Sequence, residues 1–99
     1  MEVMFRGHRC MVMAGTYNTG GTALWLKDAV DGTKIATATV DALRLPANEV
    51  VIKDYSENTG LLRVLEEAGI IELTGKWVRV GFSQCYVCRV LVELSQESL

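Results

Sequence analysis

Four polar residues in the stretch "DYSEN" (54–58) have side chains of the types that bind ligands. Asp54 and Glu57 supply carboxylates, Asn58 supplies an amide, and Tyr55 supplies a phenol. They follow a short apolar run and precede an apolar stretch with helical spacing. This predicts a strand-to-helix junction, where α/β proteins often place their sites. We therefore take Asp54, Tyr55, Glu57 and Asn58 as the candidate binding residues.

The same residues are also explained as the start of a helix. Ser56 or Asn58 can accept hydrogen bonds from free N–H groups of the first turn, and Glu57 would lie where the helix dipole favours an anion. With Ser56 as the primary cap, Tyr55 would point toward the core. Asp54 and Glu57 would then lie on the rim with no structural role beyond the dipole.

Two cysteines in "CYVC", Cys85 and Cys88, have the spacing of half a zinc site. The residues between them favour a strand, in which positions i and i+3 face opposite ways about 10 Å apart. Only His8 and Cys10 could supply the second half. We expect Cys88 to be a buried apolar residue and the protein to bind no metal.

No other pattern predicts catalysis. The glycine-rich "NTGGT" (18–22) lacks the lysine and the spacing of a phosphate-binding loop, so it predicts a hairpin turn. His8 has no serine or aspartate motif beside it. We therefore expect neither an enzymatic activity nor a cofactor.

Three β-rich segments predict an antiparallel meander in the first half of the chain. These segments are residues 10–17, 22–29 and 33–40. The first turn is "NTGG" (18–21). The second is Asp31-Gly32, a pair that favours a tight hairpin because both residues tolerate positive φ. The segment 41–48 breaks the meander because Pro46 cannot donate to a β-ladder.

The second half predicts one helix between strands. Residues 49–54 form a short strand, and the apolar residues that follow recur at helical spacing. These are Leu61, Leu62, Val64, Leu65 and Ala68. We predict an α-helix at about 57–68, ended by Gly69 in the left-handed C′ position, with Ile70 contacting Leu65.

The last third predicts the remaining strands. Residues 70–73 form a strand and Thr74-Gly75 a turn. The apolar runs up to residue 94 form one long bent strand or two short ones, with Gly81 as the bend. The tail "SQESL" should fray. The fold class is thus α+β, with one antiparallel sheet of about five or six strands, the meander first, and the helix packed on one face.

Length and composition limit the class of protein. A chain of 99 residues forms a single small domain, 1–99, and 49% apolar with 22% charged residues is typical of a globular protein. A net charge of −2 argues against general nucleic-acid binding. No apolar stretch approaches the roughly 18 residues of a membrane span. Three cysteines and no sign of export favour reduced thiols in the cytoplasm.

Several motifs resemble those of a family of small uncharacterised bacterial proteins. The matching pieces are "IATATV" (35–40), "VVIKDYSEN" (50–58), "TG" (74–75), "GF" (81–82) and "VC" (87–88), within roughly residues 15–91. Members look like accessory proteins of phages, plasmids and other mobile elements. The resemblance implies a cytoplasmic protein of a mobile element, and it implies no catalytic or binding residue.

Three hypotheses of function follow from these expectations, of which an enzyme has the least support. The first is a non-enzymatic interaction protein that binds a host or element-encoded protein, with a homodimer as a further possibility. The second is a small-ligand or nucleotide-binding module that uses the 54–58 junction. The second predicts a pocket at the junction, whereas the first predicts an exposed apolar or aromatic patch. We expect Trp25 and Trp77 to pack on the sheet, and either one becomes an interface anchor if it is exposed.

Overall fold

The computed structural model describes residues 1–41 and 45–96, which form two sheets and one short α-helix. The strand pairs among these residues are antiparallel except for one parallel pair. The strands in chain order are β1 (Glu2–Phe5), β2 (His8–Thr16), β3 (Thr22–Asp28), β4 (Lys34–Thr37), β5 (Thr39–Val40), β6 (Glu49–Ile52), β7 (Ile71–Val80), β8 (Ser83–Val90) and β9 (Ser95–Gln96). The helical elements are a 3₁₀ turn (Ser56–Asn58) and α1 (Leu61–Glu67). The α+β class is confirmed. The single sheet of five or six strands is wrong, because the described residues hold nine strands in two sheets.

The first sheet has the order β1-β2-β3-β4, and β9 pairs in parallel with β2. The predicted meander is therefore confirmed in part, as β2-β3-β4, and it is preceded by a strand that the sequence did not predict. The tight hairpin at Asp31-Gly32 is wrong, because Asp28 pairs with Thr33 across a loop of four residues. The Asp28 carboxylate accepts the N–H groups of Val30 and Asp31, and this side-chain turn replaces the two-residue turn.

The predicted strand 33–40 is shared between the two sheets. Its first part is β4 and its last two residues are β5, which pairs with β6 in the second sheet. The buried Ala38 lies at the crossing, where its N–H donates to the Leu24 carbonyl and its carbonyl accepts the Lys53 N–H. The hydroxyl of Thr39 accepts the Leu24 N–H. These hydrogen bonds satisfy the backbone where the chain leaves one ladder for the other.

The second sheet has the order β5-β6-β8-β7, so β7 is an edge strand. The predicted turn at Thr74-Gly75 is wrong, because β7 runs through it as a bulge. Between the pairs Leu73↔Cys88 and Trp77↔Tyr86, β7 has three residues and β8 has one. Gly75 takes a φ of 89°, a conformation that glycine adopts at little cost.

The alternative of two short strands near the C-terminus is confirmed. Val80 pairs with Ser83 across the two-residue turn Gly81-Phe82, so Gly81 lies in a hairpin turn and not in a bend within a strand. Residues 95–96 do not fray, because they pair with β2. The rest of the predicted frayed tail, 97–99, and residues 42–44 of the predicted break lie outside the described residues.

The helix α1 begins later than predicted and ends as predicted. It covers Leu61–Glu67 instead of 57–68, because the left-handed Gly60 separates it from the 3₁₀ turn. At the other end Gly69 has a φ of 75° and donates to the Glu66 carbonyl, while Ile70 donates to the Leu65 carbonyl. These two hydrogen bonds form the Schellman motif that the sequence predicts.

A main core lies between the two sheets and α1, and a smaller cluster lies on the far face of the second sheet. The largest fully buried side chains of the main core are Leu24, Leu26, Ile52, Leu61, Leu65, Ile70 and Ile71. The smaller cluster is formed by Val51, Cys85 and Val87, with Tyr55 packed against it. No helix within residues 1–41 and 45–96 is long and apolar enough to cross a membrane.

Candidate functional site

Asp54 has a structural role at the predicted junction. Its Oδ1 atom accepts the backbone N–H of Leu62, the second residue of α1, at 2.9 Å. Asp54 therefore caps the first turn of α1 although it lies outside the helix. Gly60, the residue at the cap position, has no side chain that could accept a hydrogen bond. The prediction of Ser56 as the cap is wrong, because the residues at the two cap positions are Tyr55 and Gly60 and Ser56 itself takes a φ of 54°.

Asn58 and Tyr55 are both held by the fold, through contacts with different parts of it. Asn58 is 1% exposed, and its Nδ2 atom donates to the Thr37 carbonyl at 2.7 Å. This bond fastens the 3₁₀ turn to the end of β4. Tyr55 is half-buried against the smaller cluster, and the Lys53 ammonium lies 5.5 Å from the centre of its ring.

Glu57 is the member of the predicted set with an exposed, charged side chain. Its carboxylate lies 2.6 Å from the Lys53 ammonium. This hydrogen bond lowers the pKa of Glu57 and raises the pKa of Lys53. The guanidinium of Arg6 donates to the backbone carbonyl of Glu57, which joins the β1–β2 turn to the 3₁₀ turn.

The four predicted residues do not form one pocket. Glu57 and Asn58 line a cleft between the β1–β2 turn, β4 and the 3₁₀ turn, whereas Asp54 and Tyr55 do not line it. The cleft has two adjoining lobes of about 290 and 340 Å³. We call it the cationic cleft, because the side chains that line its lobes include Arg6, His8, Lys34 and Lys53.

A second feature lies at the tip of the β7–β8 hairpin, far along the chain from the junction. Trp77 is 51% exposed, Tyr86 directly opposite it is 42% exposed, and Phe82 in the turn is fully exposed. Leu73 and Arg79 also lie along β7 and are exposed. We call Leu73, Trp77, Arg79, Phe82 and Tyr86 the hairpin-tip surface.

The register of β7 and β8 explains why these aromatic side chains are exposed. Tyr86 lies two residues from Cys88 on the same strand, so both point to the face that packs on the main core. Cys88 and its neighbour Ile71 are buried there, whereas Trp77 and Tyr86 extend beyond the elements that cover this face. The surface is thus an uncovered continuation of the core-facing side of the sheet.

Side chains on the opposite face of the same hairpin make contacts within the fold. Val78 and Val80 pack with the smaller cluster. Lys76, in the bulge, lies 2.6 Å from the largely buried carboxylate of Glu49. Arg89 binds the Glu72 carboxylate at 2.7 Å.

The hairpin-tip surface was missed by the sequence prediction, which expected Trp77 to pack on the sheet. The expectation holds for Trp25, which is buried with the Lys34 ammonium 6.0 Å from the centre of its ring. A signal for Trp77 existed in "KWVRVGF" (76–82). Strict alternation puts Trp77 and Arg79 on one face, and Phe82 follows in a two-residue turn that no core can cover.

The three cysteines are buried as free thiols. Cys85 belongs to the smaller cluster and Cys88 to the main core, so they point to opposite faces, as their spacing predicts. Burial raises the pKa of Cys88 to about 12. His8 lies with its Nδ1 atom 3.7 Å from the Asp28 carboxylate. Within the part of the chain that the structure describes, no three metal-binding side chains come together.

Comparisons with protein-family models, with curated proteins and with solved structures found no match to this chain. The resemblance to the mobile-element family therefore rests on the sequence motifs alone. Among the described residues, the cationic cleft and the hairpin-tip surface each allow a function to be argued from geometry.

Proposed function

We propose that this chain is a non-enzymatic interaction protein that binds another protein through the hairpin-tip surface. The observation that carries the proposal is the exposed pair of Trp77 and Tyr86 with Arg79 beside them. Trp, Tyr and Arg are the residues most enriched in the energetic centres of protein interfaces. An aromatic patch of this kind costs solubility in an isolated monomer, and it is typical of a surface that a partner covers.

The charge of the surface indicates the chemistry of the partner. Arg79 has no acidic partner among the residues that the structure describes, and no carboxylate belongs to the hairpin-tip surface. The nearby Lys76 is already paired with Glu49 on the other face. We therefore propose a partner with an apolar pocket for the aromatic rings and a carboxylate at its rim for Arg79.

The shape of β7 favours recognition by side chains over strand addition. An edge strand can pair with a strand of another chain, but bulges and lysines along the edge oppose this. The bulge at 74–76 interrupts the edge of β7 in its middle, and Lys76 lies within the bulge. Binding through Trp77, Tyr86 and Phe82 needs no free edge.

The resemblance to proteins of mobile elements supports the wider context of the proposal. We propose a cytoplasmic accessory protein that binds a host or element-encoded protein. A net charge of −2 gives no support to general nucleic-acid binding. A second copy of the chain would be an alternative occupant of the same surface.

The test begins with affinity purification from the native host and ends with purified components. The captured partner is titrated against the unchanged chain and against Trp77→Ala and Val30→Ala. Val30 is an exposed apolar residue of the β3–β4 loop and serves as the matched control. Loss of a hot-spot residue costs about 2 kcal/mol or more, which is roughly thirtyfold in Kd. We expect that loss in Trp77→Ala and none in Val30→Ala.

Two results would overturn this proposal. A captured protein whose Kd is the same for Trp77→Ala and Val30→Ala does not use the hairpin-tip surface. A chain that sediments as a dimer, and as a monomer after Trp77→Ala, uses the surface to bind a second copy instead of another protein.

A second candidate function, a small-ligand-binding module, is favoured by the cationic cleft. The cleft lies beside the predicted junction, and Glu57 and Asn58 belong to its lining. We propose that any ligand binds there and not at Asp54 or Tyr55, whose side chains are engaged by α1 and by the smaller cluster. Saturable changes in the amide resonances of Ala36 and Asn58 on addition of a small molecule would test this function.

A further inference from the structure

We infer that the cationic cleft binds the phosphate group of a small anionic ligand. This inference rests on the second candidate function and adds the chemical class of the ligand. Of the ionisable side chains that line the two lobes, Arg6, Lys34 and Lys53 are cationic and His8 lies beside the Asp28 carboxylate. Glu57 is the one acid in the lining among the described residues. The lining of the cleft thus has an excess of basic groups, whereas the whole chain has a negative net charge.

Arg6 occupies a position that turn chemistry does not favour for arginine. Phe5 pairs with His8 across the two-residue turn Arg6-Gly7, whose residues have φ values of 53° and 82°. A two-residue turn with positive φ at both positions is type I′, which prefers Asn-Gly because a Cβ atom is strained there and the short polar side chain of asparagine offsets that strain. A residue held against its backbone preference often has a functional reason.

The guanidinium of Arg6 has donors to spare. One of its N–H groups is engaged by the Glu57 carbonyl, and arginine carries five such donors in a planar fork. That hydrogen bond also fixes the side chain over the cleft instead of leaving it mobile in solvent. A positioned guanidinium is the group that binds phosphate oxygens in pairs.

The remaining groups of the cleft fit a phosphate with an apolar attachment. The Glu57 carboxylate is neutralised by Lys53 at 2.6 Å, so it repels an incoming anion less than a free carboxylate would. Phe5 and Ile35 contribute apolar surface to the lining. Each lobe is near the lower end of the roughly 300–1,000 Å³ range of ligand sites, which suits a ligand of nucleotide size or smaller.

Binding is tested by following backbone amide resonances while inorganic phosphate, adenosine monophosphate or adenosine is added at constant ionic strength in chloride. We expect saturable changes at Gly7, Ala36 and Asn58 with phosphate and with the monophosphate. The Val78 amide, at the other hairpin, should not respond. Arg6→Asn removes the guanidinium but suits the turn, so the chain should stay folded while the affinity for both anions falls about tenfold or more.

Arg79→Asn is the matched control, because it removes an exposed arginine from the hairpin tip and should leave anion affinity unchanged. Lys34→Gln gives a second readout, with weaker anion binding expected. Equal loss in Arg6→Asn and Arg79→Asn would reveal unspecific charge attraction and overturn the inference. Saturable changes in the cleft resonances with adenosine but with neither anion would overturn the inference that the cleft binds a phosphate group. They would still support a ligand-binding function. No saturable change with any of the three compounds would overturn both.

Discussion

The β1–β2 and β7–β8 hairpins are both closed by short turns but lie in opposite environments. Each is closed by a two-residue turn that contains a glycine with positive φ, Gly7 in the first and Gly81 in the second. Each also carries a phenylalanine at its turn. Phe5 is 4% exposed and belongs to the main core, whereas Phe82 is 104% exposed, which is full exposure.

The difference comes in part from the turns, because Phe5 precedes the first turn and pairs with His8 whereas Phe82 lies within the second turn. It also comes from what lies over each hairpin. The first is covered by α1 and tied to the 3₁₀ turn through Arg6 and the Glu57 carbonyl. The second extends past the elements that cover its base, so Trp77 and Tyr86 remain exposed on its core-facing side. Apolar side chains in the first hairpin thus stabilise the fold, and those in the second remain available to a partner.

The largest expected effect is the contrast between Phe5→Ala and Phe82→Ala. Truncating a buried phenylalanine leaves a cavity and costs about 3–5 kcal/mol of unfolding free energy. Truncating Phe82 should change the unfolding free energy by less than about 0.5 kcal/mol, as at a plain surface site. Urea denaturation of both variants measures the contrast. Similar losses in the two would mean that the β7–β8 tip is covered in the folded chain.

Asn58→Ala is expected to have the next largest effect. It tests whether the 3₁₀ turn, which is tied to the first hairpin through Arg6, is held in place by Asn58. The change removes the Nδ2 donor and leaves the partly buried Thr37 carbonyl without it, at a cost of about 1–3 kcal/mol. Denaturation midpoints measure this cost. A change within about 0.5 kcal/mol would show that Asn58 is not needed to fasten the turn.

Asp54→Ala and Ser56→Gly should move stability in opposite directions. Asp54→Ala removes the acceptor of the Leu62 N–H and should cost about 1 kcal/mol, as loss of a helix cap does. Ser56 has a φ of 54°, which glycine adopts more readily, so Ser56→Gly should be neutral or stabilise by up to about 1 kcal/mol. A large loss in Ser56→Gly, with none in Asp54→Ala, would restore Ser56 as the cap.

The smallest expected effect is a pH dependence that comes from Glu57. The hydrogen bond from Lys53 lowers the folded-state pKa of Glu57 below its ordinary value of 4.5. The carboxylate therefore adds stability above the unfolded pKa, and this contribution is lost as the pH falls through the folded pKa. Glu57→Gln should be less stable than the unchanged chain near about pH 7 and equal to it near about pH 2.5. A stability difference that is the same at both values would contradict this assignment.

Local patterns predicted the elements well where the reason for them was local. The meander, the strand at 49–52 and the glycine-ended helix follow from alternation, helical spacing and the left-handed Gly69. The division into two sheets could not be predicted in this way. It depends on Ala38, whose backbone bridges Leu24 and Lys53 from distant parts of the chain.

The candidate site was predicted in part, for the same physical reason. Residues 54–58 do mark a junction, but Asp54, Tyr55 and Asn58 each meet a different distant element. Their spacing in the chain therefore does not bring them into one pocket. The alternation in "KWVRVGF" (76–82) indicates which face Trp77 shares with Arg79, but the exposure of that face depends on how far the covering elements reach along the sheet.

The most direct test of the account is to measure folding and binding in the same Trp77→Ala chain. Trp77 is half-exposed and pairs with Tyr86, so its removal should cost about 1 kcal/mol or less of unfolding free energy. The affinity for the purified partner should fall about thirtyfold or more, with Val30→Ala unchanged in both measurements. A variant that keeps its partner affinity, or one that loses it only because the chain unfolds, would contradict the claim that the β7–β8 tip is a binding surface.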